Sequence, residues 1–559
     1  MANDQDGEIG REVIRTDVAK AFATRCAGVC YGQIAPERTT FTAIRAASPQ
    51  ATSDDCSETD VFGGFVWHCV LCLSAGFATL NSENKAKYQE KECDMAYRTL
   101  RSWLRRLAET DRLAVAEPGV DLDFELSAIA KRQDGEKAVL FPAPKRGQAN
   151  TPNVPVVSGL VSDRAWIAES LGIEPSEVLG KFRDAVENPL PWREVANAPA
   201  HQNVIRAPDL LRDLPIPLHN EHDNGPYISA GLIIARNPRT GIQNVSINRL
   251  QISGPDRMGI LMLPRHLHNF YAAAEAAGDP LEVAIAIGVD PATLLSSQAI
   301  VPIDFDELEV AGALHGEPLR VTKCVTNNVR VPADAEIVIE GRLLPNVREM
   351  EGPFAEFPQY YGPAGRREVI QVDAITTRKN PIFHTIVSAA MEHLLLGAIP
   401  REATIVALLQ RSFPGVLDVH LSRGGICRYH LAVKIKKTNE GEPKNIIAGA
   451  FSTHADIKQV IVVDEDVDVH DTVAVEWAVA TRFQAGKDLL IIQGALGSRL
   501  DPSTDDGVSD KMGIDATMPV KREGLDYVVV HVPGEDDPKM DSRIAAAAAA
   551  DDAMLQEEN

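Results

Sequence analysis

The sequence predicts an α/β protein built from an N-terminal α/β domain, a central strand-rich domain and a C-terminal α/β domain. Helical patterns alternate with short apolar runs from about residue 94 and again from about residue 401. Six strand-like runs follow one another between these two parts. At 559 residues the chain is also too long for one hydrophobic core, which favours several domains.

The N-terminal α/β domain is assigned to residues 94–205. A helix is predicted in YRTLRSWLRRLAE, because four apolar side chains recur on one helical face: Leu100, Trp103, Leu104 and Leu107. The runs AVLFPAP and VPVVSG are typical of strands. DRAWIAESLGI is typical of a helix, which either Ser162 or Asp163 caps.

The central domain is assigned to residues 206–400. Its strand-like runs are YISAGLIIA, NVSINRLQI, RMGILML, LEVAIAIG, EPLRVTKCV and AEIVIEG. Short strands with turn residues between them indicate an antiparallel barrel or sandwich. A helix from about His266 to Ala277 interrupts the series, so the domain is mixed rather than purely β.

The C-terminal α/β domain is assigned to residues 401–530. ATIVALLQRSF is predicted as a helix, and DVHLS, YHLAVKIK and KQVIVVDEDVDV as strands. Residues 531–559 form a polar, acidic tail that includes the alanine run Ala545–Ala550, for which we expect a frayed or helical end.

Residues 1–93 form a cysteine-rich extension of unknown role, with six of the eight cysteines of the chain. Cys69 and Cys72 make one CxxC pair, but no second pair or histidine pair follows at zinc-finger spacing, so free thiols are favoured over zinc. Val61–Leu80 lacks Asp, Glu, Lys and Arg. Its His, Ser, Thr and Gly residues nevertheless favour a buried or disordered segment over a membrane helix.

The net charge of the chain argues against some classes of function. With 56 basic and 79 acidic residues, the net charge of −23 argues against binding to nucleic acid. The start MANDQDGEIG lacks the basic flank and apolar core of a secretory signal, which predicts a cytoplasmic protein. The sequence contains no glycine-rich phosphate-binding loop of the P-loop or dinucleotide type.

Two carboxylates flank a Gly-Pro-Phe sequence in EGPFAEFPQYYGP, where Glu351 and Glu356 stand five positions apart. This composition predicts a bend at the end of a strand. In NVSINRLQI, period-2 alternation places Arg249 on the same face as apolar residues, where a guanidinium needs a carboxylate partner. Glu351 and Glu356 are available partners, and the spacing alone favours a structural salt bridge over catalysis.

Asn244, His266 and Glu307 form a second candidate set, each next to strand-like sequence. An amide, an imidazole and a carboxylate suit Mn²⁺ or Mg²⁺ better than structural zinc. Spacing alone supports this set weakly, because most single histidines have no metal to bind.

The order of these motifs resembles the UbiD family of prenylated-FMN-dependent decarboxylases. The motifs that carry the resemblance are NVSINR, LPRHLH, DELEVAGAL, EGPFAEFPQYYGP, VIVVDEDVDVHDTVAVEWAVATR and GIDAT. The resemblance covers residues from about 94 to about 530. It implies that the central domain is a split β-barrel like that of flavin reductases, which holds the cofactor, and that the C-terminal domain mediates oligomerisation.

The resemblance also implies roles for individual residues. Arg249, Glu351 and Glu356 match the family's catalytic Glu-Arg-Glu network, with Glu351 as the proton donor. The other implied positions are metal ligands at Asn244, His266 and Glu307, cofactor contacts at Ser246, Arg249, Arg265 and Lys458, a K⁺ site near Arg482, and a substrate contact at His393.

The function that follows is reversible, non-oxidative decarboxylation of an aromatic or heteroaromatic acid, with prenylated FMN and Mn²⁺ or Mg²⁺. The implied partners are CO₂, a flavin prenyltransferase that supplies the cofactor, and further copies of the chain in a homodimer or homohexamer. Two alternatives stay open: decarboxylation of a cinnamic-type acrylic acid by cycloaddition, and a non-catalytic assembly subunit.

Overall fold

The computed structural model describes residues 97–147 and 151–543. The cysteine-rich extension, the apolar segment Val61–Leu80 and the alanine run Ala545–Ala550 lie outside these residues. Within the described ranges, no helix is both long enough and apolar enough to cross a membrane.

The N-terminal part is a small sheet with helices against it. Its elements are α1 (Leu100–Glu109), β1 (Leu113–Val115), α2 (Glu125–Arg132), β2 (Ala138–Phe141), β3 (Val156–Ser158), α3 (Arg164–Ser170) and α4 (Val178–Glu187). The predicted face of α1 is confirmed, since its four apolar side chains are all buried. Asp163 caps α3 by accepting a hydrogen bond from the Ala165 amide, which decides between the two predicted caps.

The central part consists of strands with three longer helices between them. The strands as far as the first longer helix, with one short helix among them, are β4 (Arg193–Glu194), β5 (Asn203–Ile205), α5 (Leu210–Asp213), β6 (Tyr227–Ile228), β7 (Leu232–Arg236), β8 (Gln243–Ile247), β9 (Leu250–Gly254) and β10 (Arg257–Ile260). The next elements are α6 (His266–Ala277), β11 (Leu281–Ile287), α7 (Pro291–Ser296), α8 (Glu307–His315), β12 (Arg320–Lys323) and β13 (Arg330–Pro332). The last ones are β14 (Ile337–Glu351), β15 (Phe354–Ala355), β16 (Tyr361–Gly362), β17 (Gly365–Thr377) and β18 (Phe383–His384).

One sheet of nine strands dominates this central part. Its order is β6-β9-β10-β17-β14-β11-β7-β8, and β5 pairs with β17 outside that path. Neighbouring strands in it are antiparallel, as predicted. β6 and β8 stand at the two ends of the order and do not pair with each other in the described residues, so the sheet does not close into a barrel.

Two predicted strands are each divided in the structure. YISAGLIIA forms β6 and β7, and NVSINRLQI forms parts of β8 and β9. β8 is the strand at one end of the order, and β9 is next to the strand at the other end. The prediction that Arg249 shares one strand face with Val245 and Ile247 is therefore wrong. Asn248 and Arg249 stand between the two strands, where the chain leaves one end of the sheet for the other.

The C-terminal part is a five-stranded mixed sheet. Its elements are α9 (Met391–Ser412), β19 (Val416–Leu421), β20 (His430–Ile435), α10 (Glu442–Thr453), β21 (Gln459–Asp464), α11 (Thr472–Arg482), α12 (Ala485–Asp488), β22 (Leu489–Leu496) and β23 (Val508–Ala516). The strand order is β19-β20-β21-β23-β22, with parallel pairs at β20-β21 and β21-β23. The three predicted strands and the predicted helix are present, and α9 begins twelve residues earlier than its predicted start at Ala403.

Helix α9 is tied to the rest of the molecule by two buried glutamates. Glu392 accepts hydrogen bonds from the amides of Gly159 and Leu160, at 2.8 and 2.9 Å. Glu402 pairs with Arg164 at the start of α3 and accepts a 2.7 Å hydrogen bond from the Leu421 amide in β19. These bonds hold α9 against the N-terminal sheet and the C-terminal sheet together.

We expect Glu402→Gln to destabilise the protein by about 3–5 kcal/mol at pH 7, because it leaves the partly buried Arg164 without its partner. Burial opposes the charge of Glu402, but Arg164 and His420 lower its pKa to about 2. A lowered pKa stabilises the fold above the unfolded value near 4.5 and loses that contribution as the pH falls towards 2. The free energies of unfolding of the wild type and the variant, measured by urea denaturation at several pH values, should therefore converge as the pH falls to about 2.

Glu109→Gln is the matched control, since Glu109 is exposed at the end of α1. A pH-independent difference between Glu402→Gln and the wild type would contradict the assigned ion pair.

Candidate functional site

The two carboxylates of EGPFAEFPQYYGP lie on either side of a bend, as the sequence predicts. Glu351 is the last residue of β14, and Gly352 then adopts a φ of +83°, which a side chain would disfavour. The short strand β15 follows, and Glu356 comes directly after it. The bend thus turns both carboxylates towards the same guanidinium.

Arg249 links these carboxylates. Its Nε and Nη2 each donate a 2.9 Å hydrogen bond to Glu351, and its Nη1 donates to Glu356. The Glu351 side chain is fully buried, Arg249 is 7% exposed and Glu356 is 13% exposed. The guanidinium also lies over the ring of Phe354, 5.4 Å from its centroid. The sequence predicts this pairing, although it assigns Arg249 to an unbroken strand.

Tyr227 and Gln251 complete the surroundings of Glu351. The Tyr227 hydroxyl lies 2.9 Å from Gln251 Oε1 and 3.2 Å from Glu351 Oε1. Gln251 Oε1 accepts a 2.8 Å hydrogen bond from the Gly352 amide, which fixes the bend. Sequence reasoning missed both residues, and the available signal was a tyrosine and a glutamine within otherwise apolar strands.

Two glycines make room for the network. A Cβ at Gly259 would lie 3.3 Å from the Cβ and Cγ of Glu351. A Cβ at Gly362 would lie 3.1 Å from Arg249 Nη1 and 3.2 Å from Glu356 Cγ. Both contacts are tighter than ordinary packing, so the three charged side chains occupy space that a larger residue would take.

Burial and the neighbouring charges shift the pKa values of the network residues in different ways. Burial raises the pKa of Glu356, and the adjacent Arg249 reduces that rise without cancelling it. Burial opposes the charge of Arg249, but hydrogen bonding to Glu351 and the charge of Glu356 raise its pKa above the ordinary value. Burial also raises the pKa of Tyr227, which therefore remains a hydroxyl donor. Glu356 is thus the member whose protonated form the surroundings favour.

A cavity of about 210 Å³ opens beside this network. Arg249 and Glu356 line it together with the predicted substrate contact His393, whereas Glu351 is fully buried and is not among the residues that line it. Much of the remaining wall is apolar, with Ile247, Phe354 and Ile386 among its residues. A concave, largely apolar space with a few polar groups is the usual form of a small-molecule site.

Asn244 and Glu307 meet, as the predicted metal set requires. Glu307, at the start of α8, accepts hydrogen bonds of 2.8 Å from Asn244 Nδ2 and 2.7 Å from the Val245 amide. Burial raises the pKa of Glu307 to about 8. His266 begins α6 and is half-buried, and in the described ranges it makes no hydrogen bond to either residue. The structure therefore joins two of the three predicted ligands.

The remaining predicted residues lie apart from the network. Ser246 donates a 2.9 Å hydrogen bond to Asn248, and Arg265 is exposed before α6. Lys458 Nζ contacts Asp501 and Ser503 at 2.8 and 2.7 Å. Arg482 is buried in α11 and pairs with two aspartates, Asp464 and Asp466. Their predicted roles at the cofactor and at a K⁺ site stay predictions.

Three family models match the described parts of the chain. They are described as the N-terminal, Rift-related and C-terminal domains of 3-octaprenyl-4-hydroxybenzoate carboxy-lyase, UbiD, and they match residues 104–186, 193–391 and 394–516. Together they span more than half of the chain.

Individual relatives are similar over most of their length. An anhydromevalonate phosphate decarboxylase from Methanothermobacter thermautotrophicus is 40% identical, over 75% of this chain and 97% of the relative. The structure of the UbiD-class enzyme HmfF from Pelotomaculum thermopropionicum in complex with FMN is 49% identical with a TM-score of 0.78, covering 80% of this chain and 100% of HmfF. An evolved dimeric form of HmfF in complex with prFMN is 46% identical with a TM-score of 0.74, over the same shares.

We expect Arg249→Met to lower the free energy of unfolding by about 3–5 kcal/mol, since it leaves the carboxylate of Glu351 buried without a cation. Adding Glu351→Gln should recover part of this loss, because the neutral amide costs less to bury. Urea denaturation of the single and double variants measures the coupling.

Arg257→Met serves as the control, because Arg257 pairs with Glu349 in a partly exposed position and should lose at most about 1 kcal/mol. Strictly additive effects of Arg249→Met and Glu351→Gln would contradict the pairing.

Proposed function

The chain belongs to the UbiD family of carboxy-lyases, and we propose that it is a reversible, non-oxidative decarboxylase of an aromatic or heteroaromatic carboxylic acid with prenylated FMN as cofactor. The observation that carries this proposal is the buried Glu351–Arg249–Glu356 network beside the cavity. The aromatic class is supported by the hydroxybenzoate named for the matching family, and the cofactor by the prFMN bound to the evolved form of HmfF.

The reaction has two chemical requirements at this site. Loss of CO₂ leaves electrons on the substrate carbon, and prenylated FMN supplies the electron sink that no side chain offers. A proton must then reach that carbon from a positioned acid, in a space from which water is largely excluded. The apolar wall of the cavity provides that exclusion.

For the proton donor, the geometry favours Glu356 over Glu351, the residue that the family resemblance implies. Glu356 lines the cavity, and burial raises its pKa, so it can hold a proton at a position that substrate reaches. Both oxygens of Glu351 are occupied by Arg249, and its side chain is fully buried. Glu351 then balances the charge of Arg249 when Glu356 is protonated.

The metal proposal rests on the surroundings of Glu307. Its carboxylate is buried, and in the described ranges its hydrogen-bond partners are an amide side chain and a backbone amide, with no cationic side chain. A divalent cation would compensate that charge, and the oxygen ligands suit Mn²⁺ or Mg²⁺. Asn244, His266 and Glu307 would hold it. Arg265, Ser246 and Lys458 are the proposed contacts to the cofactor.

Partners and assembly follow the same proposal. A flavin prenyltransferase supplies the cofactor, and a homodimer or homohexamer forms through the C-terminal domain. The split-barrel description of the central domain and a K⁺ site near Arg482 belong to this proposal as well.

A second substrate class is an acyclic acid that carries a phosphate. The relative named for anhydromevalonate phosphate is 40% identical over 97% of its length, which favours this alternative specifically. A panel of aromatic, heteroaromatic, cinnamic-type and phosphorylated acids, assayed for CO₂ release with cofactor-loaded protein, separates the classes. Absence of CO₂ release from every acid would favour the assembly subunit.

We expect Glu356→Gln to slow turnover at least about 100-fold, because the amide cannot donate the proton. The flavin absorbance should be unchanged, since Glu356 contacts Arg249 rather than the metal pair. The decisive measurement is the exchange of the product's carbon-bound hydrogen with deuterated water, which this variant should lose.

Glu351→Gln is the matched comparison, and it should keep measurable exchange. The reverse result, with exchange lost in Glu351→Gln and kept in Glu356→Gln, would identify Glu351 as the proton donor. Normal exchange in both variants would show that neither glutamate donates the proton.

Glu307→Gln should lower Mn²⁺ affinity at least about tenfold and reduce the flavin content of the purified protein, because a charged ligand is replaced by a neutral one. Mn²⁺ binding is measured by calorimetry on metal-free protein. Glu309→Gln, two positions further on in the first turn of α8, is the control and should bind Mn²⁺ normally. Equal Mn²⁺ affinity of Glu307→Gln and the wild type would contradict the ligand assignment.

A further inference from the structure

A second group of cations lines the cavity from the side of α9. Arg428 lies in the connection between β19 and β20, and it borders the cavity together with His393 and Gly397 of α9. Arg401, one turn further along α9, packs behind them and contacts His454 at 3.2 Å. This wall is separate in sequence from the Glu351–Arg249–Glu356 network.

The guanidinium of Arg428 has no carboxylate partner within ion-pair distance among the described residues. It is 6% exposed, and its hydrogen bonds go to the carbonyl oxygens of Leu394 and Cys427, at 3.4 and 3.1 Å. Arg249, by contrast, is neutralised by two glutamates. The uncompensated positive charge of the cavity therefore lies on the Arg428 side.

One acid is close to this group. Asp456 raises the pKa of Arg401 and of Arg428, and its carboxylate lies 3.7 Å from Nδ1 of His454. Burial lowers the pKa of both guanidinium groups, which reflects the cost of holding two cations beside one carboxylate. An anion bound there would offset part of this cost.

A glycine in α9 leaves space for the guanidinium of Arg428. A Cβ at Gly397 would overlap the guanidinium of Arg428, so glycine at this helical position is required by the arginine. Glycine within a helix costs about 1 kcal/mol relative to alanine. The ring of Phe357, next to Glu356 in the chain, holds Arg428 from another side at 5.1 Å. Arg428 is thus fixed in place rather than free to turn away.

Two further polar groups face the same space. His393 Nδ1 accepts a 3.2 Å hydrogen bond from the Ala389 amide, so in the neutral ring Nε2 carries the hydrogen. Burial, with Arg428 nearby, lowers the pKa of His393 to about 3, which keeps the ring neutral. Ser388 also lines the cavity, and its buried hydroxyl has no hydrogen-bond partner among the described residues. Both are donors suited to an anionic oxygen.

We infer that the substrate carries a second anionic group, which Arg428 binds with His393 while the reacting carboxylate lies at Arg249 and Glu356. The inference rests on the proposed decarboxylase function and narrows its substrate class to acids with two anionic groups. A carboxylate and a phosphate share the required chemistry, since a guanidinium donates two parallel hydrogen bonds to either.

Binding to the cofactor-loaded protein tests this inference independently of turnover. We expect benzene-1,4-dicarboxylate to bind at least tenfold more tightly than benzoate in calorimetry, because only the diacid reaches Arg428. 4-Phosphonobenzoate distinguishes the two anions: tighter binding than the dicarboxylate assigns the site to a phosphate, and weaker binding assigns it to a carboxylate. Equal affinity of the wild type for benzoate and both dianions would overturn the inference, whichever variants fold.

Arg428→Met should abolish the preference for the dianions while the flavin content stays unchanged. Arg411→Met is the matched control, because Arg411 is exposed near the end of the same helix. Loss of flavin from Arg428→Met would assign these cations to the cofactor phosphate and overturn the inference. Failure to release CO₂ from any acid, with the dianion preference intact, would count against the proposed function alone.

Discussion

The bidentate pair between Arg249 and Glu351 is the interaction on which the organisation of the site depends. It joins the junction of β8 and β9 to the end of β14, so it links three strands of the central sheet through one guanidinium. A buried pair of this kind adds little net stability, but removing either partner is costly. The pair therefore fixes where Glu356 and Phe354 lie, and these two residues define the wall of the cavity.

The two sides of the cavity differ in how far carboxylates compensate their guanidinium groups. On the side of the central sheet, two carboxylates surround one guanidinium, which leaves an acid available for proton transfer. On the side of α9, two guanidinium groups share one aspartate, which leaves a cation available for binding. Since one side is charge-balanced and the other carries an uncompensated cation, the orientation of an anionic substrate follows from electrostatics before any shape complementarity is considered.

Much of the fold was predictable because its elements carry strong local signals. The apolar face of α1, the Asp163 cap and the antiparallel central strands are each visible in short windows of sequence. The break at Asn248 and Arg249 was not, because a strand that leaves one end of a sheet for the other keeps its alternating pattern on both sides of the break. The partial exposure of Glu356 and the complete burial of Glu351 also depend on long-range packing around the bend. The spacing of residues in the sequence does not reveal this packing.

The anchoring of α9 limits how this site can change. Its two buried glutamates bond to backbone amides on both flanking sheets, so a shift of the helix would break contacts at each end. Laboratory evolution towards new acids should therefore proceed through side-chain exchange at positions such as His393 and Leu396, within an almost invariant backbone. Adaptability in this scaffold is confined to the lining, and libraries that randomise the helix anchors would yield mostly misfolded protein.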